Sequence, residues 1–486
     1  MDLTFVSFHQ INITKSLLIA LCCFLTYHLL LIITQRWTKI KVTCPDRPAR
    51  LRNGEDVMSL VDRCCQSLKE GFKSSWWLPN GHAQTIYSAM ADFSKDDQIT
   101  YQRQLLRVPD GGTIGLDIYP PLSVNLPSNA PVILINHGLT GGSHESYVRN
   151  MVVWLTKPVS EGGLGGRAAV VNFRGCASTP LTSPHLYSTG STIDLHTSVL
   201  YLSTLFPFAP MFGVGFSLGA AVMTRYLGEQ GDRCRLRAGV VLCCPLDMRV
   251  VTYGLDSPHP LTRIYSLSMA DKILRSISPH LIPSSPLSHP TSHLHIHLPE
   301  IMSLTKSVWR RATLKASKML ELVACTVGGG SDLFPFDTLD GFLSWSCPGN
   351  WIGAIKRPTL AISALDDPIV SSACLPYKAI RRSTHCVLAT VSQGGHLGWF
   401  EGPPFGKDKH KRWHVKPTIE FFQGILDLPC NMSSPTKDTG RRVGDWTWVG
   451  DVGWMVLDEM DEKGWSGNEE GENNERQREG QAIVPV

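Results

Sequence analysis

Residues 211–231 read MFGVGFSLGAAVMTRYLGEQG, and the middle of that stretch decides how the rest of the chain is read. Met211 to Phe216 is apolar or glycine throughout, as in a strand buried on both faces, while AAVMTRYL after Gly219 has helical length and composition. Between them stands Gly215-Phe216-Ser217-Leu218-Gly219, a G-x-S-x-G motif. A serine at a sharp strand-to-helix turn needs small neighbours, because glycine lets the helix backbone approach the strand and leaves the hydroxyl exposed. The helix that follows aims its N-terminal amides at negative charge forming beside Ser217. The bare pattern is common by chance, and the flanking strand and helix are what give it weight.

A serine hydroxyl is a poor nucleophile until a base takes its proton, so the motif demands a histidine and an orienting carboxylate further along the chain. Asp366-Asp367-Pro368 follows the β-type run Thr359 to Ala364 (TLAISA), and His396 lies in QGGHLG after the apolar run Val387 to Val391. Asp367, directly before Pro368, is the expected acid and Asp366 the alternative, which would cap the turn or face solvent. His137-Gly138-Leu139-Thr140-Gly141-Gly142 follows another buried run, Pro131 to Asn136 (PVILIN). The segment resembles a glycine-rich oxyanion loop, which leads one to expect the backbone N–H of Leu139 to pair with that of Leu218 in holding a tetrahedral oxyanion.

Outward from these motifs the chain alternates. Ala168 to Asn172 and Ala238 to Cys243 are further buried β-runs, Ile193 to Leu205 is helical, and residues 101–119 (YQRQLLRVPDGGTIGLDIY) form two alternating runs about a turn. Strand, helix, strand order predicts a mostly parallel central sheet with helices on both faces. The polar and small residues fall at the C-terminal strand ends, where such sheets bind ligands. Residues 251–341 break the pattern: no buried strand is evident, and His259, His280, His289, His293, His295 and His297 accumulate among Pro and Ser. This reads as an inserted cap whose histidines line a surface loop, without the convergent ligand set that zinc requires. No metal or other cofactor is expected.

The domain reading is then a membrane anchor over 1–40, a linker over 41–74 running into a helix near Val57, a catalytic domain over 75–430 and a disordered tail over 431–486. The tail turns to Gly, Glu, Asn and Arg, as in GNEEGENNERQREG. Residues 17–33 (LLIALCCFLTYHLLLII) carry no formal charge and reach the short end of a bilayer span. Arg36, Trp37, Lys39 and Lys41 follow in place of a cleavage site, and their charge leans the orientation towards a cytosolic catalytic domain. A net charge of +4 spread over the whole chain, without a basic stripe interleaved with aromatics, argues against a nucleic-acid partner. The 14 cysteines stand singly or in adjacent pairs with no C-x-x-C spacing, so they read as reduced, mostly buried thiols.

HGLTGGSHESYV, NFRGCASTPLTSPHLYSTGSTIDL, GFSLGAAVMTRYLGEQG, ALDDPIV and QGGHLGWFEG, together with WLPNGHAQTIYS, resemble the abhydrolase-domain branch of the α/β-hydrolase fold. That branch includes fungal medium-chain fatty acid ethyl ester synthase/esterases and membrane-anchored abhydrolase lipases, and the likeness covers roughly residues 75 to 425. It implies a triad on Ser217, Asp367 and His396, and a serine esterase or lipase acting on fatty-acyl esters. In fungal members it implies acyl transfer from acyl-CoA to an alcohol. With residues 17–33 it implies a membrane or lipid-droplet surface as partner and the endoplasmic reticulum or a droplet as location. The segment GFLSWSCPGNWIGAIKRP before Thr359 lacks the tyrosine-rich helix the branch leads one to expect, which bears on acyl-chain preference. Loss of Ser217 or His396 would have marked a non-catalytic binding scaffold; both are present. Nothing charged near the motifs suggests recognition of a peptide.

Overall fold

Short β-branched runs become strands when both of their faces can be covered, and that condition builds the centre of this protein. The computed structural model describes residues 21–24, 26, 39–330, 332–406, 408–429 and 440–457. Among these residues twelve strands form one sheet: β1 Lys41–Thr43, β2 Gln102–Arg107, β3 Thr113–Tyr119, β4 Val132–Asn136, β5 Arg167–Asn172, β6 Met211–Phe216, β7 Leu236–Leu242, β8 Thr359–Ala364, β9 Cys386–Val391, β10 Arg441–Val443, β11 Trp446–Val449 and β12 Val452–Leu457. Their spatial order is β1-β9-β8-β7-β6-β4-β5-β3-β2-β12-β11-β10. The pairs from β5 through β4, β6, β7 and β8 to β9 are parallel, and the outer strands on both sides are antiparallel.

Strand β4 shows how the layers arise. Ile133 and Ile135 point into one buried cluster, with Phe421 and Phe422 of the helix Val415–Leu426, while Val132 and Leu134 point into a second, with Val222 and Met223 of the helix Leu218–Gln230. Burying one such side chain contributes about 1.5–3 kcal/mol, so a strand apolar on both faces is worth covering twice.

Between β7 and β8 the described residues form helices and turns only: Met248–Leu255, Pro260–Ile277, Leu298–Lys306, Val308–Ala312, Leu339–Trp345 and shorter pieces. This insertion leaves the C-terminal end of β7 and has its own core, in which Ala270, Leu274, Leu294, Ile301 and Met319 are fully buried.

The structure differs from the sequence reading at both ends of the chain. Residues 41–43 are not linker but an edge strand antiparallel to β9. Residues 441–457, read as part of a disordered tail, form β10 to β12 and extend the sheet beyond β2. The run WTWVGDVGWMVL alternates aromatic and β-branched residues about two-residue turns, with Gly444 and Gly450 at positive φ. Averaging it with the acidic, glycine-rich residues that follow conceals the pattern. Most of the expected anchor, residues 17–33, lies outside the described residues, and among those described no helix is long and apolar enough to cross a membrane.

Candidate active site

Ser217 follows the last residue of β6 and precedes the helix Leu218–Gln230, with φ 52° and ψ −116°. A non-glycine residue there carries roughly 1–3 kcal/mol of strain and persists only where its surroundings over-determine it. They do. Ser217 N–H donates to Leu242 O on β7 at 2.9 Å, extending the parallel ladder past the strand end. A Cβ on Gly215 would stand 2.6 Å from Ala220 Cα, and one on Gly219 would stand 2.4 Å from Asn136 O. Both glycines are obligatory because helix and strand backbones meet at contact distance.

The ends of β8 and β9 bring their loops to the same point. His396 Nε2 lies 2.9 Å from Ser217 Oγ, and His396 Nδ1 lies 2.8 Å from Asp367 Oδ2. These contacts fit the tautomer in which Nδ1–H donates to the carboxylate and Nε2 accepts from the serine hydroxyl. Asp367 Oδ1 accepts from the N–H groups of Ile369 and Val370 at 2.8 and 2.9 Å, which fixes the carboxylate before it meets the imidazole. Its side chain is only 2% exposed and that of His396 10%. The neighbouring Asp366 is turned the other way. Its Oδ1 accepts from Gly395 N–H at 2.9 Å, so it braces the histidine loop from behind, and burial pushes its carboxyl up from the ordinary range.

Of the residues expected to bind an oxyanion, Leu218 is the first residue of its helix, where an N–H has no intrahelical acceptor. Leu139 sits in the loop after β4. The amides around it are engaged: Gly138 N–H donates to Tyr147 Oη at 3.0 Å, Thr140 N–H to Tyr187 Oη at 3.1 Å and Gly141 N–H to Gly138 O at 3.2 Å. Among the described residues no acceptor is recorded for Leu139 N–H. A Cβ on Gly138 would stand 3.6 Å from Ser217 Cβ, so the loop passes directly beside the serine. Leu139 and Leu218 also wall a cavity of about 70 Å³, whose far side is Met248, Ile273, Met319 and Phe342 of the insertion. On the opposite flank, His82 Nδ1 meets Tyr265 Oη at 2.8 Å with the rings stacked, joining the helix Gly81–Met90 to Pro260–Ile277.

Several supporting residues escape sequence reasoning. Thr85 Oγ1 accepts from His396 N–H at 2.8 Å, across 311 residues of chain. A Cβ on Gly81 would collide with Asp366 O at 1.9 Å, which explains the glycine in WLPNGHAQT. His137 is fully buried, with Nδ1–H donating to Gly138 O at 2.7 Å and Nε2 accepting from Phe173 N–H at 3.2 Å. Burial pushes it down to about 4, so it remains a neutral brace for the Leu139 loop. The sequence signal for it was its place at a strand end. Among the described residues, the group of potential metal ligands within mutual reach is Cys243, Asp367 and His396. Both imidazole nitrogens there are already engaged, and the arrangement does not fit an ion.

A largely parallel sheet that carries a serine on a strained strand-to-helix turn, beneath a helical insertion, defines the class of α/β hydrolases. Residues 132–405, more than half of the chain, match the alpha/beta hydrolase family, and the protein belongs to it. It is similar to a monoacylglycerol lipase of Saccharomyces cerevisiae, 28% identical over 410 residues that cover 76% of this chain and 85% of that one. It is also similar to medium-chain fatty acid ethyl ester synthase/esterase 2 of the same yeast, 25% identical over 429 residues covering 77% and 90%. A third relative is human phospholipase ABHD3, 25% identical over 359 residues covering 73% and 80%. The abhydrolase-domain branch and the α/β-hydrolase fold expected from sequence are thus borne out, and the protein stands among lipases and esterases.

Proposed function

We propose that this protein is a serine carboxylic ester hydrolase of fatty-acyl esters, with Ser217 as nucleophile, His396 as general base and Asp367 as the carboxylate that holds it. The observation that carries the reading is the relay of 2.8 and 2.9 Å contacts ending on a strained serine beside an apolar cavity. In the first half-reaction Ser217 Oγ bonds to the acyl carbon while His396 Nε2 takes its proton. The carbonyl oxygen becomes an oxyanion facing the N–H groups of Leu139 and Leu218, each worth about 3 kcal/mol of barrier. His396 then returns the proton to the departing alkoxide, and the C–O bond of the ester breaks. Water, deprotonated by the same imidazole, releases the fatty acid and restores the serine. An alcohol in place of water gives transfer, and a thioester such as acyl-CoA serves as donor by the same steps. The acyl chain occupies the cavity walled by Ile273, Met319 and Phe342, and this apolar wall supports a fatty acyl group over a peptide.

The test is covalent. A fluorophosphonate probe should label Ser217, and Ser217→Ala should abolish both label and hydrolysis of a p-nitrophenyl octanoate substrate. Label on another serine, or hydrolysis that survives in Ser217→Ala, would overturn the mechanism.

A further inference from the structure

The insertion carries an outward patch that neither the fold nor the proposed chemistry uses. Ile301 and Leu304 of the helix Leu298–Lys306 are buried in the core of the insertion, and an unbroken helix would have turned Val308 the same way. The helix breaks instead at Ser307, whose φ of −119° and ψ of 110° are extended and whose Oγ accepts from Arg310 N–H to start a new helix, Val308–Ala312. The break aims the next residues at solvent: Val308 is 69% and Trp309 87% exposed. Arg310, Lys306 and Lys315 are exposed around them and Arg311 is half-buried. Residues 296–318 hold five basic residues (Lys306, Arg310, Arg311, Lys315, Lys318) against one acidic residue, Glu300. Glu300 lies 3.6 Å from Lys318, and Arg311 lies 3.7 Å from Asp271, so among the described residues Lys306, Arg310 and Lys315 make up the charge beside the tryptophan that no acid pairs.

We propose that this patch docks the protein on an anionic lipid bilayer, with Trp309 and Val308 entering the headgroup layer and the basic residues meeting lipid phosphates and carboxylates. A tryptophan combines a large apolar ring with a polar N–H and suits the boundary between water and acyl chains. Each Lys or Arg beside an anionic surface strengthens binding about five-fold, which gives the charge complementarity a definite sign. The rest of the molecule faces the same way. The insertion rises from the C-terminal end of β7, and Lys41 of β1 pairs with Thr390 near the C-terminal end of β9. The chain that follows the apolar stretch 17–33 therefore enters on the side of Ser217 and His396. Ile86 and Met90, 50% and 79% exposed, lie on the helix whose Thr85 holds His396. Bilayer, insertion and serine then lie on one side of the sheet, and a lipid ester reaches the cavity without crossing bulk water.

The inference goes beyond ester hydrolysis and is tested separately from it. Full-length protein is mixed with phosphatidylcholine vesicles, with or without 30% phosphatidylserine, and amide hydrogen exchange is followed in peptides covering residues 306–315. Anionic vesicles should slow exchange there about five-fold or more, with neutral vesicles giving less. Ser217→Ala should behave as the parent, while the double variant Val308→Ser with Trp309→Ser should lose the protection. That double variant should hydrolyse a water-soluble acetate ester at the parental rate and a vesicle-embedded acylglycerol about ten-fold more slowly. Unchanged exchange in 306–315 while the protein is vesicle-bound would overturn the proposal. So would protection that persists in the double variant, or concentration-dependent protection without vesicles, which marks self-association. Loss of hydrolysis alone in Ser217→Ala bears only on the chemistry.

Discussion

The rim of the sheet and the insertion above it are built by different physics. At the rim, Ser217, Asp367 and His396 hang from the ends of the buried strands β6, β8 and β9, and hydrogen bonds to backbone groups fix each of them: Leu242 O accepts from the serine N–H, the Ile369 and Val370 amides donate to the aspartate, and Thr85 Oγ1 accepts from the His396 N–H. The insertion has no such framework. Its core is small, and it meets the rim through apolar contacts and scattered hydrogen bonds, among them the His82 to Tyr265 pair, Leu186 N–H to Val327 O at 2.6 Å and Arg225 Nη1 to Trp345 O at 2.6 Å. The lesson is a division of labour: the tightly held geometry sits on sheet ends, and the substrate wall sits where side-chain packing largely decides the shape.

The sharpest way to break that comparison lies within one dipeptide. Asp367→Asn keeps the size but reverses the hydrogen-bond sense at His396 Nδ1, and it should lower kcat by about 10,000-fold. Asp366→Asn keeps an oxygen for Gly395 N–H and should cost less than about ten-fold. Steady-state kinetics on one ester, with circular dichroism to show both variants folded, checks the pair; similar losses at the two positions would dissolve the distinction drawn at the rim.

A second effect, of intermediate size, is on stability. Burial holds His137 down to about 4 and His414 down to about 3, so in the folded protein both stay neutral at a pH where the unfolded chain, titrating near 6.5, takes up protons. Their folded values are depressed; the stability they confer is complete above pH 6.5 and falls as pH drops towards 4. For His137 the loss is about 2 kcal/mol at pH 5. Asp366, raised by burial, acts in the opposite sense. Melting temperature between pH 7.5 and 5 should therefore fall more steeply in the parent than in His137→Gln, and equal slopes would exclude a neutral buried brace under the Leu139 loop.

The smallest effect belongs to the insertion. Ile273→Phe puts a larger side chain into the wall of a cavity of about 70 Å³ and takes space from it. At about 0.8 kcal/mol per buried methylene, excluding two of them lowers kcat/KM for an octanoate ester about ten-fold against the acetate. A panel of p-nitrophenyl esters reads this directly. A uniform loss across all chain lengths would mean that the insertion shapes the chemistry as well as the wall.

The same division decides what was legible in the sequence. Gly215, Gly219 and the buried runs announce themselves because a backbone contact admits no other residue type, and the order Ser217, Asp367, His396 follows strand ends that periodicity reveals. Asp366 and Asp367 are the same residue type side by side; Pro368 points to the second, and the turn that gives Asp367 two amides shows the physical difference between them. Thr85 and Gly81 carry no local signal, since their partners lie about 300 residues away along the chain. The insertion was visible only as a lapse in strand pattern, because small helical cores are set by packing that no short period encodes. The edge strands after Gly440 were masked by the composition of their neighbours.

Those edge strands have a consequence of their own. β12 pairs Met455, Val456 and Leu457 with Arg107, Leu106 and Leu105 of β2, and Trp454, 2% exposed, covers Tyr201 with ring centroids 6.2 Å apart. A protein shortened at the last helix would present β2 as an open row of donors and acceptors beside an uncovered aromatic, a template on which other copies can stack. On this account the exposed edge of β2 is guarded by the strands that follow Gly440.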